Sequence, residues 1–396
     1  MKTIHSQIQS PSSVYPFHQP LRQIAFFDIE TTGLSPRTSS IYLIGAMRYD
    51  TDRSCWDMTQ WFADDYRSEA DILTSFLDFL KPCHALFHFN GATFDIPYVE
   101  AKCQKHGISL PEYAKELFQN ICSHQTPTDE KRIGIDLLKQ IRPLKKALCL
   151  QHARQTELER WLGIHREDTY HGGELIKVYT DYMQRRILHP ESAEELEKLL
   201  LLHNHDDMEG MFHICSMLSY WDALAPSCPP DISGHTAADR KITIRFTLKV
   251  PVPKKIQIEH PFPDETAVPF PAQLTLSHSE GILSLPLRQD TLKFFLTPYQ
   301  EYFYLPQEDT AIHKSVAQFV DSAFRRKATA ATCYTKKEGS FLPSLSRKVP
   351  SRDEPLFYTG YKEKPAYYLL ADSSEEDKLS RQLGEYLFYE LPAFTR

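Results

Sequence analysis

At 396 residues the chain is longer than one hydrophobic core ordinarily holds, so two or three compact units are expected and a single small module is excluded. Apolar residues make up 41%, charged residues 24% and aromatics 12%, which supplies a core and excludes a disordered polyelectrolyte. The net charge of -7 is carried in front, because residues 231–396 are close to neutral; an acidic half suits a solvated surface and also a carboxylate-lined cation site.

The longest apolar runs, such as residues 199–202, fall far short of the roughly 18 residues that span a bilayer, so no membrane association is expected. Residues 1–20 lack the apolar stretch of a secretory signal and read as a flexible lead-in. The cysteines are scattered without a CxxC pair, and the intervals among Cys122, His124, Cys149 and His152 fit no standard zinc spacing; a reducing, cytoplasmic setting is expected.

In chain order, the patterns predict strands over residues 24–30, 41–49 and 56–62 joined by short turns. A helix over 68–80, a strand over 85–89, a helix over 96–105, a strand near 133–137 and several helices up to Tyr220 follow. This is α/β order, with a mixed five-stranded sheet and helices on both faces, over residues 21–222. Pro226, Pro229 and Pro230, with Ser and Gly around them, mark residues 223–237 as a linker. Beyond it, residues 238–396 read as an α+β accessory domain of unassigned fold. Residues 241–250 alternate with a period of two, further strands lie near Ile256, Leu274, 282–287 and 294–304, and helices carry Ile312, Val316, Phe319, Val320 and Phe324, and then residues 375–390.

Three segments carry the chemistry. In IAFFDIETTGL (residues 24–34), Asp28 and Glu30 sit two apart on a strand and share a face at the end of an apolar run, where two like charges need a counter-cation unless the strand end meets solvent. The hydroxyls and glycine of Thr31-Thr32-Gly33 are what a phosphate-approaching loop requires. In FHFNGATFDIPYVE (residues 87–100), Asp95 falls where a sheet strand gives way to a helix; a helix N-cap is its alternative role. On the helix around residues 194–218, Leu196, Leu200, His203, Asp207, Met211, Ile214 and Leu218 fall on one line at ~100° per residue, so His203 and Asp207 interrupt a core-facing stripe, with Asp206 predicted as their solvated neighbour. Spaced i and i+4, His203 and Asp207 can act on one point, the alternative being a buried hydrogen-bonded pair.

Together these segments resemble the three motifs of the DnaQ-like, RNase H-fold 3'-5' exonuclease superfamily, the DEDD nucleases, over residues 20–220. Asp28 and Glu30 match the first motif, Asp95 the second and Asp207 the third; IYLIGA, IDLLKQIRPLKKALCL and GIHREDTYHGGELIKVY look like the YprB-like branch. The resemblance implies two Mg²⁺ or Mn²⁺ ions on Asp28, Glu30, Asp95 and Asp207, and hydrolysis of single-stranded DNA or RNA ends. It further implies contacts of Thr31, Thr32, Gly33, Leu34 and Asn90 with the terminal nucleotide. Superfamily members carry a tyrosine four residues, or a histidine five residues, before the last Asp to act on the water. Here His203 is a histidine at the tyrosine spacing, a candidate base. Asp136 reads as a strand-end residue and Asp168 as a loop or helix-cap residue. Basic residues Lys314, Arg325, Arg326, Lys327, Lys336, Lys337, Arg347, Lys348 and Arg352, with Tyr299, Tyr302, Phe303 and Tyr304 upstream, make the accessory domain a candidate nucleic-acid surface. The rival expectations are a catalytically weak or inactive nucleic-acid-binding scaffold on the same fold and a small-molecule phosphodiesterase.

Overall fold

Runs rich in Ile, Phe, Tyr and Trp build the first unit around one sheet. Its strands are Lys2–Ile8 (β1), Ile24–Thr31 (β2), Ile41–Asp50 (β3), Cys55–Phe62 (β4), Ala85–His88 (β5) and Ile133–Asp136 (β6). A computed structural model describes residues 1–8, 15–119, 132–168, 170, 172–262, 270–346, 355–372 and 374–395, and it divides into two compact units, Met1–Ser219 and Tyr220–Arg396. In the first, the strand order is β1-β4-β3-β2-β5-β6. The pairs from β1 to β2 are antiparallel and those from β2 through β5 to β6 are parallel. The sheet is therefore mixed, as its chain order implies, but it has six strands rather than five. The added strand comes from the stretch read as a lead-in: Lys2–Ile8 runs as an edge strand along β4, and only Ile8 of it is buried. With one buried side chain, its apolar signal is too small to show as a strand pattern, while its backbone finds a full row of partners.

The helices of this unit are Glu69–Leu80 (α1), Asp95–Lys105 (α2), Glu112–Phe118 (α3), Leu137–Ile141 (α4), Gln155–Leu162 (α5), Gly172–Leu188 (α6) and Pro190–Ile214 (α7). Strand alternation assigns them to two faces. Phe27 of β2 stacks on Phe76 of α1, while its neighbour Phe26 meets Phe212 of α7 edge to face, so α1 and α7 cover opposite sides. Phe26 also packs on Trp56 and Phe87, all buried, and this aromatic cluster supports the face on which Asp28 and Glu30 stand.

The second unit is built of sheets and a terminal helix. The spatial order Asp231–Ala238, Lys241–Thr247, Glu280–Pro286, Ala272–Ser277, Ile256–His260 forms an antiparallel five-stranded sheet, so the latter half of the expected linker is a strand. Smaller four- and three-stranded sheets follow. The helix Glu376–Glu390 ends on a buried Glu390 whose carboxylate accepts from the Ser344 and Tyr368 hydroxyls and from the Leu345 and Ser346 N–H groups, which satisfies a charge taken out of water. The apolar spacing from Ile312 to Phe324 does not make one helix. Thr310–His313 is a strand, Lys314–Ala317 one helical turn and Ser322–Phe324 a 3-10 turn, with His313 and Asp321 capping the last two through their side chains. Each cap restarts the backbone, and Val316, Phe319 and Phe324 are left exposed. No helix among the described residues is long and apolar enough to cross a membrane.

Truncating Phe26 to Ala removes the centre of the cluster under the carboxylate face. The expected loss of unfolding free energy is about 3–5 kcal/mol, read from chemical denaturation; a loss under about 1 kcal/mol, the size of an ordinary surface change, would contradict this packing.

Candidate functional site

The chain's apolar β2 delivers two acids to one place because Asp28 and Glu30 follow Phe26 on the same side of the strand, the side that faces α7. Asp95 arrives from the parallel neighbour: β5 ends at His88, the chain turns, and α2 begins at Asp95. Its carboxylate does not cap that helix. It turns to β2 and accepts the Ile29 N–H at 3.3 Å. Asp207 comes from α7, where His203 precedes it by one turn.

The four carboxylates feel one another. Burial, then the charges of Asp207, Asp95 and Glu30, push the Asp28 carboxyl well above the usual range, against the pull of the Asn204 amide. Burial and then Asp207, Asp95 and Asp168 do the same to Glu30. Asp95 is pushed up to about 7, by burial first, with Asp136 and Asp207 adding to it and backbone N–H groups opposing.

Behind this cluster stands a set of side chains whose role the linear pattern does not announce. Asp28, Gly45 and Gln60 lie side by side across β2, β3 and β4. Asn204 of α7 rests on Gly45, where a Cβ would collide with its amide. Its Oδ1 accepts from Gln60 Nε2 at 3.0 Å, which turns its Nδ2 toward Asp28 Oδ2, also at 3.0 Å. His203 is held similarly. Its Nδ1 lies 2.5 Å from Asp168 Oδ2, and its Nε2 lies 3.3 Å from Asp207 Oδ2 and 3.6 Å from Glu30 Oε1. Asp168 is thus more than a loop residue, though one of its oxygens does accept the Tyr170 N–H. Arg166 forms a fork on the buried Glu159 and reaches Asp207 Oδ1 at 2.7 Å. Gly210 makes room for that Glu159 carboxylate against α7.

Asp206 corrects one expectation. It is buried at 8% exposure, while the Asp207 side chain is 19% exposed, because Asp206 Oδ2 accepts the N–H groups of Glu167 and Asp168 and so ties the loop that carries Arg166 and Asp168 to α7. Asp136 caps α4 by accepting from Lys139 N–H and also accepts the Asn90 N–H, a strand-end role.

The loop after β2 is clamped from several sides. Thr31 Oγ1 and the Tyr98 hydroxyl of α2 both donate to the Gly33 carbonyl, and Lys102 Nζ donates to the Ser39 carbonyl. Thr32 pairs with Ser40 through both backbone and hydroxyl. Leu34 projects from this fixed loop at 82% exposure. Asn90, in the left-handed region at φ 60°, is exposed, and its Oδ1 accepts from Thr93.

Glu30, His203 and Asp207 each offer one ligand atom, all within 4.8 Å of one another, and hard oxygens with one imidazole nitrogen suit a divalent cation. His205, Asp206 and Glu209 form a second such group on α7, but Asp206 there is engaged in holding the loop. Of the imagined zinc set, Cys122 and His124 lie outside the described residues, as do Arg347, Lys348 and Arg352 of the basic cluster. In the second unit, Lys314 pairs with Glu301, Lys336 pairs with Asp309, and Arg325 lies 5.1 Å from the centre of the Phe303 ring; Arg326, Lys327 and Lys337 are exposed.

The RNase_H_2 family profile, described as RNase_H superfamily, matches residues 25–219, the stretch that holds every side chain of this site. No curated protein sequence matches the chain. Among solved structures, the family B DNA polymerase from the hyperthermophilic archaeon Pyrobaculum calidifontis is similar at 12% identity and a TM-score of 0.39, over 95% of this chain and 46% of that one, so the chain spans about half the polymerase's length.

Two outcomes follow from this geometry. A raised carboxyl contributes stability that is complete below its unfolded value and is lost as pH rises through its folded one, which for Asp95 means a loss between about 4 and about 7. In chelator, raising pH from about 5.5 to about 8 is expected to lower the melting temperature of wild type more than that of Asp95→Asn; parallel curves would contradict the burial assigned to Asp95. Gly45→Ala is expected to displace Asn204 at a cost of about 1–3 kcal/mol in denaturant unfolding, and an unchanged midpoint would show that the amide does not rest there.

Proposed function

We propose that residues 21–222 are a divalent-metal-dependent 3'-5' exonuclease of the DEDD type, in its YprB-like branch, that hydrolyses phosphodiester bonds at single-stranded DNA or RNA ends. One observation carries this reading: carboxylates from three separate elements come close enough that burial and neighbouring charge, that of Asp207 included, push Asp28, Glu30 and Asp95 upward, with Glu30 and Asp207 both beside His203 Nε2. Such a set is unfavourable by itself and is relieved by cations. The match of residues 25–219 to the RNase H superfamily agrees with it.

Asp28, Glu30, Asp95 and Asp207 would hold two Mg²⁺ or Mn²⁺ ions. When bound, such ions supply a nucleophile at neutral pH and neutralise charge on the scissile phosphate and its leaving oxygen. The protein's own groups do the positioning. Asn204 and Gln60 fix Asp28, Arg166 fixes Asp207, and Asp168 fixes the catalytic His203 with Nε2 toward the carboxylates. Thr31, Thr32 and Gly33 form the rigid loop that meets the terminal nucleotide, exposed Leu34 is placed to wedge against its base, and Asn90 stands at the end of the neighbouring strand. The accessory domain, residues 238–396, with exposed Arg326, Lys327 and Lys337, would add electrostatic attraction for the polyanion. Scattered free thiols suit a cytoplasmic setting.

A second reading is a noncatalytic nucleic-acid-binding scaffold. The Arg166–Asp207 ion pair favours it, since it already gives one of the four acids a cation. Incubation of 5'-labelled single-stranded DNA and RNA with Mn²⁺ or Mg²⁺ separates the two. Shortening from the 3' end is expected, reduced at least about 100-fold in Asp28→Ala and in Asp207→Ala, the scale on which single electrostatic groups of an active site are felt. Bound but intact oligonucleotides with every metal would support the scaffold, and cleavage that persists in both variants would remove the site from the reaction.

A further inference from the structure

We infer that His203 is itself a metal ligand through Nε2, completing a Glu30–His203–Asp207 set for one of the two cations, rather than a base acting on free water. The inference rests on the metal-site reading above and adds to it the ligand that sets which ion is preferred.

Three independent features point this way. The first is spacing. Ligands about 2.1 Å from an ion and at right angles to each other stand about 3 Å apart, and His203 Nε2 lies 3.3 Å from Asp207 Oδ2 and 3.6 Å from Glu30 Oε1. The nitrogen thus sits among carboxylate oxygens at ligand-to-ligand separation, on an arc closed by three atoms within 4.8 Å of one another. The second is the far side of the ring. Asp168 Oδ2 lies 2.5 Å from Nδ1, the place of an N–H donor to that carboxylate, so in the neutral ring the Nε2 lone pair is directed at Glu30 and Asp207. A carboxylate behind an imidazole is the usual partner of a metal-bound histidine, fixing both tautomer and ring orientation. Asp168 is in turn held by its own N–H on Asp206, so the ring is braced by a loop that is itself tied to α7. The third is Arg166, which takes Asp207 Oδ1 and leaves Oδ2, the oxygen on the His203 side, to serve as the single ligand atom of that residue. Glu159, 1% exposed and made possible by Gly210, anchors Arg166 so that this division of the two oxygens is fixed.

An imidazole nitrogen among the ligands shifts preference from Mg²⁺, which keeps to oxygen, toward Mn²⁺. In this arrangement Asp168 is a positioning residue, acting on the ion through His203.

The direct test is pulsed electron paramagnetic resonance on the full-length protein loaded with Mn²⁺ after chelator treatment. Wild type is expected to show ¹⁴N coupling from a directly bound imidazole, and the coupling is expected to be lost in His203→Ala and retained in His205→Ala, which removes the histidine of the neighbouring group on α7. Asp168→Ala is expected to weaken Mn²⁺ binding about 10–100-fold, the usual consequence of removing a carboxylate behind a ligating histidine, and to narrow the preference for Mn²⁺ over Mg²⁺. The wild-type spectrum needs no variant to fold. Bound Mn²⁺ without ¹⁴N coupling would overturn the inference and leave the carboxylate site standing. Coupling that survives in His203→Ala would assign the nitrogen elsewhere and overturn it equally. Failure of wild type to bind Mn²⁺ at all would remove both the inference and the reading on which it rests.

Discussion

Burial of acids that also repel one another governs this site. Asp28, Glu30 and Asp95 are all pushed up, by burial first and then by neighbouring carboxylates, with the charge of Asp207 felt by each. A folded chain tolerates such a group only where donors or cations face it. Donors face three of the acids: the Asn204 amide on Asp28, the Ile29 N–H on Asp95, and Arg166 on Asp207. They hold the carboxylates in place without neutralising the whole set. What remains is a demand for positive charge that a divalent ion would meet.

The supports of these donors reach deep into the fold. The amide that steadies Asp28 depends on the absence of a side chain at Gly45 and on Gln60 one strand further on, so three neighbouring strands and one helix determine a single hydrogen bond. The guanidinium on Asp207 depends on a buried Glu159 and on Gly210. On the other side, Tyr98 and Lys102 of α2, the helix that begins with Asp95, grip the loop of Thr31 to Ser39, so the helix that brings the third acid also shapes the approach to the site. Packing and chemistry are here the same set of contacts.

Much of this was legible in the sequence. The apolar run before Asp28 and Glu30 fixes strand, face and position together, because a period of two leaves no other arrangement for a strand with one side against a helix. The stripe on α7 identifies His203 and Asp207 by the same logic at a period of 3.6. What escaped was every residue that acts through another. Asn204 reads as an unremarked polar residue beside His203 until the register of β2, β3 and β4 sets it over Gly45. Asp168 and Arg166 lie on a loop far along the chain from α7, and no periodicity links them to it. Helical geometry alone points Asp206 to solvent, because it does not register the loop that covers it. β1 is not legible because an edge strand with one buried side chain leaves almost no apolar trace.

Whether these acids hold ions decides what the site can do. Isothermal titration of Mn²⁺ into the chelator-stripped full-length protein measures this without reference to any substrate. Saturable binding of about two ions per chain is expected, reduced in Asp28→Asn, Glu30→Gln and Asp207→Asn. A titration with no saturable heat, or one whose stoichiometry and affinity are the same in wild type and in all three variants, would contradict it.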